Sequence, residues 1–299
     1  MMTGDPINSL KRSYGFFDDR YTMIENGYSG EDLMSPKQFA VMGTVFVLIV
    51  LASLLLRRVK REKLFLIYKV IAVVMPFVEV VKVTYSSYFD ILNGQPFDWG
   101  GILPFYTCSM MLYFLPFVAW GRGGMMQRVS MAFFTNIGLI AGLSNFVFLS
   151  SASFFPIFSF SCFYSISFHA LLVFVGMSLL ITGEVKPSLR TALEGTVPVL
   201  IFSAFVIPIN FIIKRLTGGW VDYMMLMRFN DFPVLGDLAH FLESRGLLLL
   251  FSLFVLLLLY PLASLIITWI EIGAAKAVSA VKAGRDNRRK APKAKQAGQ

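Results

Sequence analysis

A chain of 299 residues that is 56% hydrophobic and only 15% charged, with 30 phenylalanines and a mean hydropathy of +0.68, falls outside soluble globular proteins, whose charged share is about 25%. Its net charge of +9 does not point to nucleic acid, because the basic residues stand in short clusters beside apolar runs, where they set topology and meet anionic headgroups. Composition therefore predicts an all-α polytopic transmembrane helix bundle with membrane lipids, and no nucleic acid, as its partners.

The first 37 residues are polar enough, with Asp5, Lys11, Arg12, Asp18, Asp19, Glu31 and Asp32, to exclude a cleavable signal peptide and to form an extracytoplasmic segment. A spanning helix needs about 20 mostly apolar residues, and seven segments qualify: 38–56, 64–89, 102–120, 131–150, 157–181, 193–213 and 247–270. The connections after the odd-numbered segments carry the Lys and Arg: Arg57, Arg58, Lys60, Arg61 and Lys63, then Arg122 and Arg128, then Lys186 and Arg190. By the positive-inside rule these face the cytoplasm with the basic tail 271–299, and the N-terminus lies outside. Residues 285–299 read as a disordered part of that tail. The connection 214–246 is the one long external loop, either a lid over the bundle or a segment at the membrane interface. No internal repeat suggests an inverted-repeat transporter. The last segment has no lysine, which excludes a retinal Schiff base.

Ionisable groups at bilayer depth cost about 2.5–3.5 kcal/mol each on insertion scales and mark function by default. Glu79 and Lys82, at i and i+3 in the second segment, share a helical face and are placed to pair. Lys69 snorkels to the inner interface. Cys108 lies about 9 Å below the outer start of the third segment, and His169 about 13–18 Å below that of the fifth. Asn145 and Asn210 also fall in the outer half. A thiol and an imidazole at neighbouring depth are the minimum for nucleophilic acyl chemistry: the imidazole takes the thiol proton and the thiolate attacks a carbonyl. Glu79, Asn210 or Asn145 would orient the histidine, and backbone amides freed around Pro104, or the Tyr106 hydroxyl, would hold the oxyanion. The bland alternative is a cysteine that packs as a small hydrophobe. Cys162 is expected to pack, or else to form a disulfide with Cys108 that would remove the nucleophile. His240 reads as a surface residue. Two cysteines and two histidines this scattered give no metal-ligand spacing, and Gly121-Arg122-Gly123-Gly124 lacks a phosphate loop's context, so neither metal nor cofactor is expected.

Leu103-Pro104-x-x-x-Cys108, the lone His169 in its span, and Asn210 followed by Trp220, Asp222-Tyr223-Met224 resemble the YwaF-type integral membrane family over roughly residues 40–270. That family is similar to a eukaryotic branch of cysteine-dependent transmembrane lysophospholipid acyltransferases. Phe105-Tyr106 stand where its pattern reads Leu-His, and Asp222 stands where it reads Asn. The resemblance implies Cys108 as nucleophile and His169 as base, with Asn210 and Glu79 in support, in a multi-pass protein of the bacterial plasma membrane. Two functions follow from the residues together with the resemblance, beside a structural or assembly role in which the polar groups only hold the bundle together. One is a lipid acyltransferase or transacylase drawing on membrane phospholipid and lysophospholipid. The other is a non-enzymatic transporter or small-molecule sensor whose polar cavity holds Glu79, Lys82 and His169.

Overall fold

A computed structural model describes residues 15–25, 35–95, 98–147, 156–218, 221–226 and 233–296, and among these no strand occurs. In chain order the helices are α1 (Arg20–Glu25), α2 (Pro36–Leu56), α3 (Arg61–Leu92), α4 (Trp99–Ile102), α5 (Met110–Trp120), α6 (Met125–Thr135), α7 (Ile137–Val147), α8 (Phe160–Ile181), α9 (Leu189–Thr217), α10 (Pro233–Ser244), α11 (Leu248–Phe254) and α12 (Tyr260–Gln296). A 3₁₀ turn occupies Tyr223–Met225, and a π-helical turn, Val255–Leu259, joins α11 to α12.

The ends of the long helices follow from local chemistry. Ser35, Ser159 and Ser188 cap α2, α8 and α9, each accepting a backbone N–H of the first turn, from Gln38, Cys162 and Thr191. Pro36 fills the first position of α2, where its missing N–H costs nothing. Helix α9 stops at Gly218, whose φ of +72° reaches the left-handed region that a side chain disfavours.

Six helical stretches are long and apolar enough to cross a membrane: Pro36–Leu56, Arg61–Leu92, Met125–Phe146, Phe160–Ile181, Leu189–Thr217 and Leu248–Ala280. The molecule is thus a multi-pass membrane protein. The seventh expected segment, 102–120, takes a different form. Leu103 is extended before Pro104, the chain stays irregular through Ser109, and only Met110–Trp120 is helical. Eleven residues span about 16 Å, roughly half a hydrocarbon core. The fourth segment is broken as well: Asn136, at φ −115° and ψ −93°, separates α6 from α7. Helix α12, in turn, runs on to Gln296 where a disordered tail was expected from 285, in keeping with the helix-forming Ala, Lys, Arg and Gln there.

Packing follows the broken elements. Helices α3, α6, α8 and α9 surround α5 with one apolar core that includes Tyr68, Met75, Met110, Phe114, Phe133, Leu172 and Val199. A second cluster lies between α2, α7 and α8: Met42, Ile49, Leu139, Ile166 and Cys162. Helices α6 and α9 approach closely because Gly195 leaves room; a Cβ there would sit 2.9 Å from the Ala132 carbonyl. The outer face of α3, with Val70, Val73, Phe77 and Val80, is exposed and apolar, as a lipid-facing surface is.

Part of the connection 214–246, residues 221–226, packs inside the bundle, whereas α10 carries the exposed Leu238 and Phe241. Tyr223, Met224 and Leu226 are fully buried, inserted among the helices. Irregular backbone at membrane depth is tolerated only where its polar groups are satisfied by protein, and here side chains do so. Asn210 accepts from the Tyr223 N–H and donates to its carbonyl, both at 3.3 Å. Tyr260 donates to the Met224 carbonyl (2.9 Å) and Ser252 to that of Leu226 (2.8 Å). Trp220, Arg228 and Asp231 lie outside the described residues.

Candidate active site

The irregular stretch 103–109 delivers Cys108 to the N-terminal edge of α5, facing α8. His169, nine residues into α8, lies about 14 Å along that helix and lines the same cavity as Cys108 and Ser109. Its Nδ1 lies 2.7 Å from the Ser165 carbonyl. A carbonyl has no proton to give, so Nδ1 carries the hydrogen and donates it, leaving Nε2 with a lone pair able to accept a proton.

Around this pair is a cavity of about 270 Å³ between α3, α8 and the irregular stretch. Its wall holds Glu79, Lys82 and Ser86 from α3; Tyr106, Cys108 and Ser109; and Ser161, Tyr164, Ser165, Phe168 and His169 from α8. Tyr164 donates its hydroxyl hydrogen to Glu79 Oε2. Lys82 Nζ lies 3.7 Å from Glu79 Oε1 and donates to the Gly101 carbonyl at 2.8 Å, tying α3 to α4. The carboxylate therefore faces both a phenol and an ammonium, which offsets its removal from water. Tyr106 is 37% exposed, its ring edge-on to Tyr223 with centroids 5.3 Å apart. Tyr223 itself donates to the Trp99 carbonyl.

Beyond Ser86 and Ser161 the segment 15–25 bridges α3 and α8. The Phe160 N–H donates to the Phe16 carbonyl (2.7 Å), Tyr85 to the Phe17 carbonyl (3.0 Å), and Tyr21 to Asp90 (2.8 Å). Asp19 caps α1, accepting from the Tyr21 and Thr22 amides and from the Thr22 hydroxyl.

Of the residues singled out in the sequence, Cys108, His169, Glu79, Lys82 and Tyr106 line this one cavity, whereas Asn145 and Asn210 do not. Asn210 is fully buried and bonded through both its amide nitrogen and oxygen to the Tyr223 backbone, so it holds the inserted loop; the group that meets the His169 ring is the Ser165 carbonyl. Asn145 is buried beside the second cluster, and its Oδ1 has no partner among the described residues. Neither cysteine is in a disulfide, and Cys162 packs in the second cluster. His240 is 53% exposed beside Glu243. No group of three or more metal-ligating side chains occurs among the described residues. Sequence reasoning passed over Tyr164, whose signal was a hydroxyl one turn after Ser161 on the helix that carries His169, and passed over Ser165 because its backbone, not its side chain, does the work.

Comparison with known proteins places the chain. The model of the TMEM164 family matches residues 33–267, nearly all the described helical bundle. No curated protein and no solved structure matches.

Proposed function

The chain belongs to the TMEM164 family of transmembrane proteins, and from that premise we propose that it is a membrane lipid acyltransferase or transacylase with Cys108 as nucleophile. The observation that carries the reading is the placing of Cys108 and His169 on the wall of one cavity, with the histidine tautomer fixed by the Ser165 carbonyl. The likeness of the Leu103-Pro104-x-x-x-Cys108 motif to YwaF-type proteins and to the cysteine-dependent acyltransferase branch supports it.

In this mechanism His169 Nε2 takes the thiol proton as the sulfur attacks the ester carbonyl of a phospholipid. The N-terminal edge of α5 complements the anionic sulfur. Collapse of the tetrahedral intermediate breaks the ester bond, and His169 returns the proton to the leaving lysophospholipid oxygen. The hydroxyl of a second lysophospholipid, deprotonated by His169, then attacks the Cys108 thioester, and the thiol is regenerated. A lipid reaches the cavity sideways past the apolar outer face of α3. With the basic connections on the cytoplasmic side of a plasma membrane and the N-terminus outside, the cavity sits in the outer half of the bilayer. A membrane phospholipid, not cytosolic acyl-CoA, is then the donor. Glu79 and Tyr164 shape the polar wall, and no metal or cofactor takes part.

One observation favours the non-enzymatic transporter or sensor instead: the irregular entry to half-length α5 shares the cavity with Glu79 and Lys82, and the inserted loop 221–226 packs against it through Tyr223 and Tyr106, and discontinuous helices of this kind line many transport sites. Purified protein in lipid nanodiscs, given isotope-labelled lysophospholipid, decides between them. Acyl transfer produces labelled diacyl lipid by mass spectrometry, lost on Cys108→Ala and kept on Cys162→Ala. A transport or sensing role gives no diacyl product and depends on Glu79 while tolerating Cys108→Ala.

A further inference from the structure

Cys108 is held by a backbone that secondary structure does not hold. Between Leu103 and Ser109 the backbone N–H groups make one short bond, Phe105 N to the Leu103 carbonyl at 2.8 Å, while the carbonyls of Thr107, Cys108 and Ser109 accept from the first turn of α5, from Met110 N at 3.4 Å, Met111 N at 3.2 Å and Leu112 N at 2.9 Å. The side chain next to the nucleophile is anchored more firmly: Thr107 Oγ1 lies 2.6 Å from the Tyr260 hydroxyl. That hydroxyl spends its own hydrogen on the Met224 carbonyl, which can only accept. Thr107 is therefore the donor to Tyr260, and the bonds run in one direction from Thr107 through Tyr260 to Met224.

Both ends of this chain are unusual. Met224 has φ +60° and ψ 16°, a left-handed conformation that a side chain disfavours. It is kept there because Asn210 clamps the preceding residue and Ser252 the carbonyl of Leu226. Tyr260 opens α12 directly after the π turn 255–259, whose extra residue rotates the helix face; such turns gather at functional sites. Phe105 and Tyr106 rest against the ring of Tyr223, with centroids 5.5 and 5.3 Å away.

We infer that Thr107 and Tyr260 are positioning residues for Cys108: the inserted loop 221–226 is the template, and the Thr107–Tyr260–Met224 relay sets the orientation from which the thiol meets His169. The role as a nucleophile rests on the acyl-transfer reading; the orientation of the thiol does not. A misplacement near 1 Å costs an enzyme up to about 100-fold, which gives the relay a measurable effect. Thr107→Val removes only the last bond and leaves Tyr260 on Met224; Thr107→Ser keeps the hydroxyl; Tyr260→Phe breaks the relay at its centre.

Each variant, in nanodiscs, is assayed for the rate of Cys108 alkylation by iodoacetamide at neutral pH, localised by peptide mass spectrometry, and for kcat and KM of lysophospholipid acylation. The relay predicts alkylation and kcat each about tenfold lower in Thr107→Val with KM unchanged, recovery in Thr107→Ser, the same loss in Tyr260→Phe, and no further loss in the double variant, because both act through one bond. Wild-type alkylation in Thr107→Val and Tyr260→Phe, a serine variant no better than valine, or losses that multiply in the double variant would overturn it. Wild-type protein that transfers no acyl group sinks the acyltransferase reading alone, since the alkylation rates still decide the relay.

Discussion

Two of the polar sets within the bundle differ in how far their hydrogen bonds are spent. Around Asn136 every bond has a protein partner: the amide donates to the Ala132 carbonyl (2.8 Å) and the Thr191 carbonyl (3.2 Å), and Thr268 donates to its oxygen (2.6 Å). Ser264 satisfies the Ala192 carbonyl close by. These bonds join the α6–α7 break to α9 and α12, and none of these residues lines the cavity at Cys108. Around Cys108 the polar groups are ionisable, line a cavity of about 270 Å³ and keep bonding capacity toward it. Both sets occupy the depth where unmet polarity is expensive. Closed networks fasten helices, while open ones have something left to offer a ligand.

Three changes test that division, in falling order of effect. His169→Gln keeps a donor to Ser165 but loses the proton acceptor, and acyl transfer falls about 10²- to 10⁴-fold with the unfolding midpoint close to wild type, as steady-state kinetics and thermal melts would show. Asn136→Leu does the reverse. It leaves buried carbonyls unmet and destabilises the protein by about 1–3 kcal/mol, read in denaturant titration, while activity per folded molecule stays near wild type; a large loss of kcat there would break the comparison.

The smallest effect lies at the segment over the cavity's far end. Burial alone would raise the Asp19 carboxyl, but the bonds from Thr22 and Tyr21 outweigh it and hold the group below its ordinary value of 3.8. A depressed folded value stabilises the cap above the unfolded one, and that contribution is lost as pH falls below about 3.8 and through the folded value. Hydrogen-exchange protection of residues 21–24 stays level from neutral pH to pH 5 and drops by about 1 kcal/mol in more acid solution, whereas Asp19→Asn is flat across the range.

Helix periodicity and length make most of the fold legible in the sequence, because a stretch of 20 apolar residues has few alternatives in lipid. The breaks are less legible. Pro104 marks the irregular entry to α5, yet the apolar run 102–120 hides that only its second half is helical. Nothing in Met131–Ser150 announces Asn136 as a break, since its geometry depends on carbonyls and Thr268 from elsewhere in the chain. The inserted loop 221–226 is equally a tertiary result: its polar content reads as external until Asn210, Ser252 and Tyr260 are seen to satisfy it. The site divides in the same way. Cys108, His169, Glu79 and Lys82 stand out because reactive or ionisable residues are rare in apolar runs. Asn145 and Asn210 give the same signal and lie elsewhere, because depth along a helix does not fix the direction a residue faces. Ser165 could not have been found, as its contribution is a backbone carbonyl.

The central claim is that Cys108 carries an acyl group, and trapping that intermediate tests it most directly. Protein in phospholipid nanodiscs, without an acceptor, is digested and examined by mass spectrometry. The account predicts a fatty-acyl adduct on the Cys108 peptide that neutral hydroxylamine removes, and none on Cys162 or in His169→Gln. Folded protein with a free Cys108 thiol and no adduct there, or an adduct confined to another residue, would contradict it.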